Sequence, residues 1–152
     1  MAAVISLREV VDAIEEQADE SASYLDADTG QFVLVTDEGV QIVEEGRGDE
    51  APEWLREGLP KVREVLDSTR FLRLPSKFDV HEWDIMRQFC DAQEDGRARD
   101  ELSNAIQGSG AFRMFKNTLR DFNLEDAWYQ FRAHALQEIA RDWLEAHHLS
   151  YK

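Results

Sequence analysis

At 152 residues, 43% of them hydrophobic and four of them Trp, the chain has the length of one domain and can bury a core without disulfide staples. Its 32 Asp and Glu against 17 Lys and Arg leave a net charge of −15, which opposes non-specific binding to nucleic acid and to anionic membranes. A lone cysteine, Cys90, excludes an internal disulfide framework and a four-thiolate zinc site, and no apolar run nears the roughly 20 residues of a membrane span.

The N-terminus has no apolar h-region and carries acids early, so a signal peptide is not expected and a cytoplasmic protein is. The charge is unevenly spread. Residues 1–67 hold eighteen acids and five Lys or Arg, a net of −13, and residues 68–152 hold fourteen and twelve, a net of −2.

Ser6 and Glu9 read as a capping box. Leu7, Val10, Val11, Ile14 and Ala18 follow at helical spacing, which predicts a helix from about Leu7 to Asp19. Two β-prone runs then flank Asp26-Ala27-Asp28-Thr29-Gly30, the signal of a hairpin in which Gly30 takes the positive φ. Asp37-Glu38-Gly39 reads as a turn and Val40-Gln41-Ile42-Val43 as a further strand. Glu44 to Glu50 reads as a solvated loop. Pro52 suits the first turn of a short helix through Arg56. Pro60 starts another, with Val62, Val65 and Leu66 on one face. Phe71 to Leu74 is a short strand that Pro75 stops.

The remainder has helical periodicity. Asp79 is placed to cap a helix with Glu82 at its third position and with Ile85, Met86, Phe89 and Cys90 inward. Gln93 to Gly96 is a break, and a short helix bearing Leu102, Ala105 and Ile106 ends at Gly108. Ser109 would cap the next helix, striped by Phe112, Phe115, Leu119 and Phe122. Asn123 would cap the last and longest, whose apolar face runs from Trp128 to Leu144. These elements give a single α+β domain over residues 1–152. A small antiparallel sheet lies in an acidic part, about 1–74, and a larger helical part spans about 75–149.

Four groups of residues carry possible chemistry. Gly108-Ser109-Gly110 precedes a helix whose Arg113, Lys116 and Arg120 share a face, an arrangement that suits an anion. The same glycines also serve as ordinary caps, and the run is neither a dinucleotide fingerprint nor a P-loop. His81-Glu82-Trp83-Asp84 lacks the second histidine of a zinc helix, since Ile85 stands one turn on. Trp128-Tyr129-Gln130-Phe131-Arg132 suits stacking on a base, or core packing with Arg132 paired to a carboxylate. His147 and His148 diverge by about 100° on a helix and suit its C-terminus better than a metal. Cys90 falls on an apolar face, where a thiol is inert. No metal or other cofactor is expected.

Leu74-Pro75-Ser76-Lys77-Phe78-Asp79-Val80-His81-Glu82-Trp83-Asp84-Ile85-Met86, then Gly108-Ser109-Gly110-Ala111-Phe112-Arg113-Met114-Phe115-Lys116, then Trp128-Tyr129-Gln130-Phe131-Arg132, resemble the motifs of a family of small bacterial proteins known only as an uncharacterised protein family. The resemblance runs over about residues 5–149. It implies no activity, cofactor or catalytic residue.

The residues point first to a non-enzymatic binding or regulatory module, recognising an anionic group on a protein or other ligand near His81, Trp83, Arg113, Lys116, Tyr129 and Arg132. A second expectation is an enzyme on a phosphorylated or nucleotide substrate, with His81 or Glu82 as acid or base. A third is an acidic inhibitor or DNA mimic whose carboxylates meet a basic partner.

Overall fold

The computed structural model describes residues 3–152, except the side chains of Lys77 and Phe78. It is α+β, as the sequence leads one to expect, and its helices outweigh one small sheet. The chain divides into two compact units: Met1–Asp79 with Ile139–Lys152, and Val80–Glu138.

In the first unit, helix α1 (Leu7–Glu16) starts where Ser6 Oγ accepts the Glu9 N–H at 3.3 Å. It buries Val10, Ala13 and Ile14, and it stops before Ala18, which is exposed. Strands β1 (Ser21–Asp26), β2 (Phe32–Thr36) and β3 (Phe71–Arg73) form an antiparallel sheet in the order β2-β1-β3. One face of the sheet places Ala22 and Val35, with Tyr24 and Val33, against Val40, Val43, Val62 and Leu66. The other carries Ser23 and Leu25, and Ser23 Oγ donates to the Ala13 carbonyl of α1 at 3.2 Å.

Val40 to Val43 is not a strand. Helix α2 (Asp37–Glu44) runs through it. Thr36 Oγ accepts the Gly39 N–H at 3.1 Å, and Asp37 and Glu38 sit in the first turn, where the helix dipole favours acids. Four residues of mixed apolar character fit either period, and the cap decides between them. Gly46, at φ +68°, ends the helix, with its own N–H on the Val43 carbonyl and the Arg47 N–H on the Ile42 carbonyl. Helices α3 (Glu53–Arg56) and α4 (Leu59–Asp67) follow as expected.

The β1–β2 hairpin turns on Asp26, which is almost fully buried. Its Oδ1 accepts the N–H groups of Asp28 and Thr29 at 2.9 and 3.4 Å, and Arg70 lies 3.3 Å from Oδ2. Gly30 closes the turn at φ +77°, as the sequence suggested. Burial alone would push the Asp26 carboxyl up. The Asp28 N–H, the Thr29 hydroxyl and N–H, and the Arg70 charge outweigh burial and hold it below the ordinary value of 3.8. Because the folded value is the lower one, the ionised group's contribution is fully present above the unfolded value. It is lost as the pH falls through the folded one. Asp26→Asn should therefore be about 1–2 kcal/mol less stable than wild type at neutral pH. Urea unfolding at neutral pH and below about pH 3 should find that gap narrowed in acid; an equal gap at both would refute the assignment.

The two ends of the chain meet within this unit. The Ile5 N–H donates to the Ser150 carbonyl and the Lys152 N–H to the Ile5 carbonyl, both at 2.9 Å, and the Leu7 N–H to the Lys152 carbonyl at 3.1 Å. Helix α9 (Glu125–Ala146) ends at His148, φ +57°, with the Leu149 N–H on the Leu144 carbonyl. Its Trp143 donates Nε1–H to the Arg73 carbonyl of β3 at 3.1 Å.

The capping pair expected at Asp79 and Glu82 lies one turn earlier. The Ser76 N–H donates to Asp79 Oδ2 at 3.0 Å and the Asp79 N–H to Ser76 Oγ at 3.1 Å, a reciprocal box that opens the one-turn helix α5 (Lys77–Val80).

The second unit contains α6 (Glu82–Asp91), α7 (Gly96–Ala105), α8 (Ala111–Asp121) and the first part of α9. His81 starts α6 in the left-handed region, φ +53°, with no side-chain cap. Asp95 caps α7 by accepting the Arg97 and Ala98 N–H groups. Gly110, at φ +73°, starts α8 without a side-chain cap, so Ser109 is not the cap. Asn123 does not cap α9 either. It stands at φ +59° just past α8, whose end it closes: its N–H meets the Arg120 carbonyl and the Leu124 N–H the Leu119 carbonyl. The core is aromatic. Phe89 packs edge-on against Phe115, Trp128 and Phe131, and Phe115 against Trp128 with centroids 4.8 Å apart.

Candidate functional site

The six residues singled out from the sequence all fall in the second unit. Trp83, on the first turn of α6, is 42% exposed at its ring, yet its Nε1–H donates to the Ile106 carbonyl at 2.9 Å and so ties the start of α6 to the end of α7. Glu82 beside it grips Arg132 of α9. Arg132 Nε lies 3.0 and 3.2 Å from the two carboxylate oxygens, and Nη2 also bonds Oε1. Both side chains are about three-quarters covered. The guanidinium is thus matched by a carboxylate in place. His81 and Tyr129 are exposed.

Arg113 and Lys116 stand apart from that cluster. Both are exposed on α8, and their side chains make no hydrogen bond or ion pair among the described residues. This contrasts with Arg47, Lys61, Arg70, Arg87, Arg97 and Arg132, each held to a carboxylate. Arg120 continues the same face. It lies 3.9 Å from Glu125 with its side chain 70% exposed, a pairing worth little in water. Phe112, expected in the buried stripe, is 54% exposed, while Phe115 and Leu119 of that stripe are buried. It belongs to the stripe by spacing, but it sits in the first turn, where spacing does not report how far the neighbouring helices reach. The outer face of α8 is therefore Phe112, Arg113, Lys116 and Arg120. Residues 102–120 around it contain no Asp or Glu.

The uncapped start of α8 leaves the first-turn N–H groups of Ala111, Phe112 and Arg113 without a side-chain acceptor, at the positive end of the helix dipole. Cys90, fully buried on α6, has its thiol pushed up by burial and by the Asp91 charge against a bond from Ser103, as suits an inert core thiol. Among the described residues no three His, Cys, Asp or Glu side chains cluster so as to hold a metal ion. No helix there is long and apolar enough to cross a membrane. The first unit has a cavity of about 250 Å³ lined by Glu38, Gln41, Ile42, Arg47, Glu50, Ala51 and Pro52. Its one cation, Arg47, is already paired to Glu45 and Glu50.

The chain belongs to the uncharacterised protein family UPF0158, which it matches over residues 2–152. It is 27% identical over 125 residues to a UPF0158 protein of Pseudomonas aeruginosa, an alignment that covers 80% of this chain and 70% of that one. No solved structure matches the chain.

Proposed function

We propose that this protein is a binding module that takes an anionic group of a partner, a carboxylate or a phosphate, on the outer face of α8. Arg113 and Lys116 carry the reading: among the described residues they are exposed cations without a carboxylate partner, in a chain of net charge −15. Seven other cations, Arg47, Lys61, Arg70, Arg87, Arg97, Arg120 and Arg132, are each set against a carboxylate. Here the chain from 102 to 120 supplies no acid of its own, and the uncapped first turn adds donors of the same sign. Phe112 offers an apolar surface beside the charges, suited to the carbon framework that bears the anion. Glu82–Arg132 and Trp83–Ile106 act as braces under this reading, with Tyr129 and His81 exposed in the same unit.

The test is a thermal-shift screen against nucleotides, sugar phosphates, polyphosphate and polyglutamate. A ligand that binds only the folded state at about 100 times its Kd adds roughly 2.7 kcal/mol, a readable shift. The double variant Arg113→Glu, Lys116→Glu should abolish that shift while unfolding at nearly the wild-type midpoint, because both side chains are exposed. An unchanged shift in the double variant removes α8 as the site.

A further inference from the structure

We propose that the open edge of the sheet, strand β2, takes up a basic, extended segment of a partner protein as a fourth strand. The Asp26 N–H bonds the Gln31 carbonyl and the Asp37 N–H bonds the Glu20 carbonyl. Antiparallel pairs alternate, so Tyr24–Val33 and Ala22–Val35 are the hydrogen-bonded pairs between those two points. The N–H and C=O groups of Phe32 and Leu34, and the N–H of Thr36, therefore point away from β1. With β2 outermost in the order β2-β1-β3, no strand among the described residues receives them. No other backbone hydrogen bond among the described residues engages them.

The strand lacks the devices that usually close an edge. Phe32-Val33-Leu34-Val35-Thr36 has no Lys, no Pro and no bulge, and the central Leu34 is 51% exposed. An edge with free main-chain groups and an exposed apolar side chain is the arrangement by which sheets bind extended peptides. Charge selects the occupant. Residues 9–46, which hold α1 beyond its first two residues, both hairpin strands and α2, contain twelve Asp and Glu and no Lys, Arg or His; Arg8 is the one cation of α1. Asp28 lies exposed at one end of the hairpin, and Glu20, Asp37 and Glu38 at the other. A second copy would bring the same acids against these; a Lys- or Arg-bearing strand would answer them.

The test uses the full chain and short end-blocked peptides, with binding read by fluorescence anisotropy. An alternating Lys–Val peptide should bind at least about tenfold more tightly than the Glu–Val peptide of equal length. N-methylating alternate amides of the Lys–Val peptide should weaken it by about tenfold or more, since it removes the main-chain donors but no charge. Leu34→Pro should do the same. It costs no ladder bond, because Leu34 sits opposite Ser23 in a non-hydrogen-bonded pair. Equal affinity for the methylated peptide would mean that charge alone holds it and would overturn edge pairing. So would failure of the Lys–Val peptide to bind. Dimers of the free protein that Leu34→Pro dissolves would make a second copy the occupant and overturn the basic partner.

Discussion

Replacing Phe115 by Ala should destabilise the protein by about 3–5 kcal/mol, the cost of emptying an aromatic site in a packed core. Phe115 is 1% exposed and touches both Phe89 and Trp128 edge-on, so its loss opens a cavity and breaks two ring contacts together. Urea unfolding, followed by circular dichroism and by Trp fluorescence, measures the loss. Phe112→Ala, one turn away and more than half exposed, should cost less than about 0.5 kcal/mol. A Phe115→Ala loss near that of Phe112→Ala would mean that the aromatic cluster does not hold the second unit.

The other large effect is expected at Gln17. Its side chain is buried at the end of α1 and makes three bonds: Nε2–H to the Pro75 carbonyl at 2.7 Å and to the Ile14 carbonyl at 3.3 Å, and Oε1 from the Ser23 N–H at 2.9 Å. One amide thus joins α1 to the central strand and to the segment after β3. Gln17→Ala leaves the Ser23 N–H and the Pro75 carbonyl unpaired and buried. At roughly 1–3 kcal/mol for each orphaned group, the total should be about 2–6 kcal/mol by chemical denaturation. Gln17→Glu sharpens the test. It keeps an acceptor for Ser23 but sets a carboxylate against the Pro75 carbonyl, so its folded pKa is raised. The variant should then recover stability relative to wild type as the pH falls and the acid gains a proton to donate. A pH-independent difference would show that Gln17 does no more than fill space.

The parts of this fold that the sequence discloses are those decided within one turn of chain. Ser6 with Glu9, the Asp- and Gly-rich hairpin turn, Pro75 after β3, and the Phe115–Leu119 stripe each carry their own local reason. The misplaced features had two near-equal local candidates. Ser76 and Asp79 both suit a cap, and reciprocity between them picks the earlier turn. Asn123 suits the start of a helix or the left-handed end of one, and it serves as the end. Val40 to Val43 fits either period until Thr36 is seen to cap it. The residues of the candidate site are legible in type more than in arrangement. Arg113 and Lys116 follow from spacing, but Arg132 and Glu82 stand 50 residues apart, and no periodicity marks them as a pair. The same holds for the Trp83 ring and the Ile106 carbonyl, and for Gln17, which looks like a surface glutamine at a helix end.

The tie between Ile5 and the residues around Tyr151 has a consequence for how the chain is made. The sheet-bearing unit is built from both ends of the sequence, and the helical unit lies wholly between them. Translation delivers residues from the N-terminus onward, and units fold as they become complete. Residues 80–138 leave the ribosome while the acidic unit still lacks the strip from Ile139 to Lys152. The unit begun first is therefore finished last, and until then the backbone groups of Ile5, Leu7 and Arg73 wait for their partners in a nascent chain.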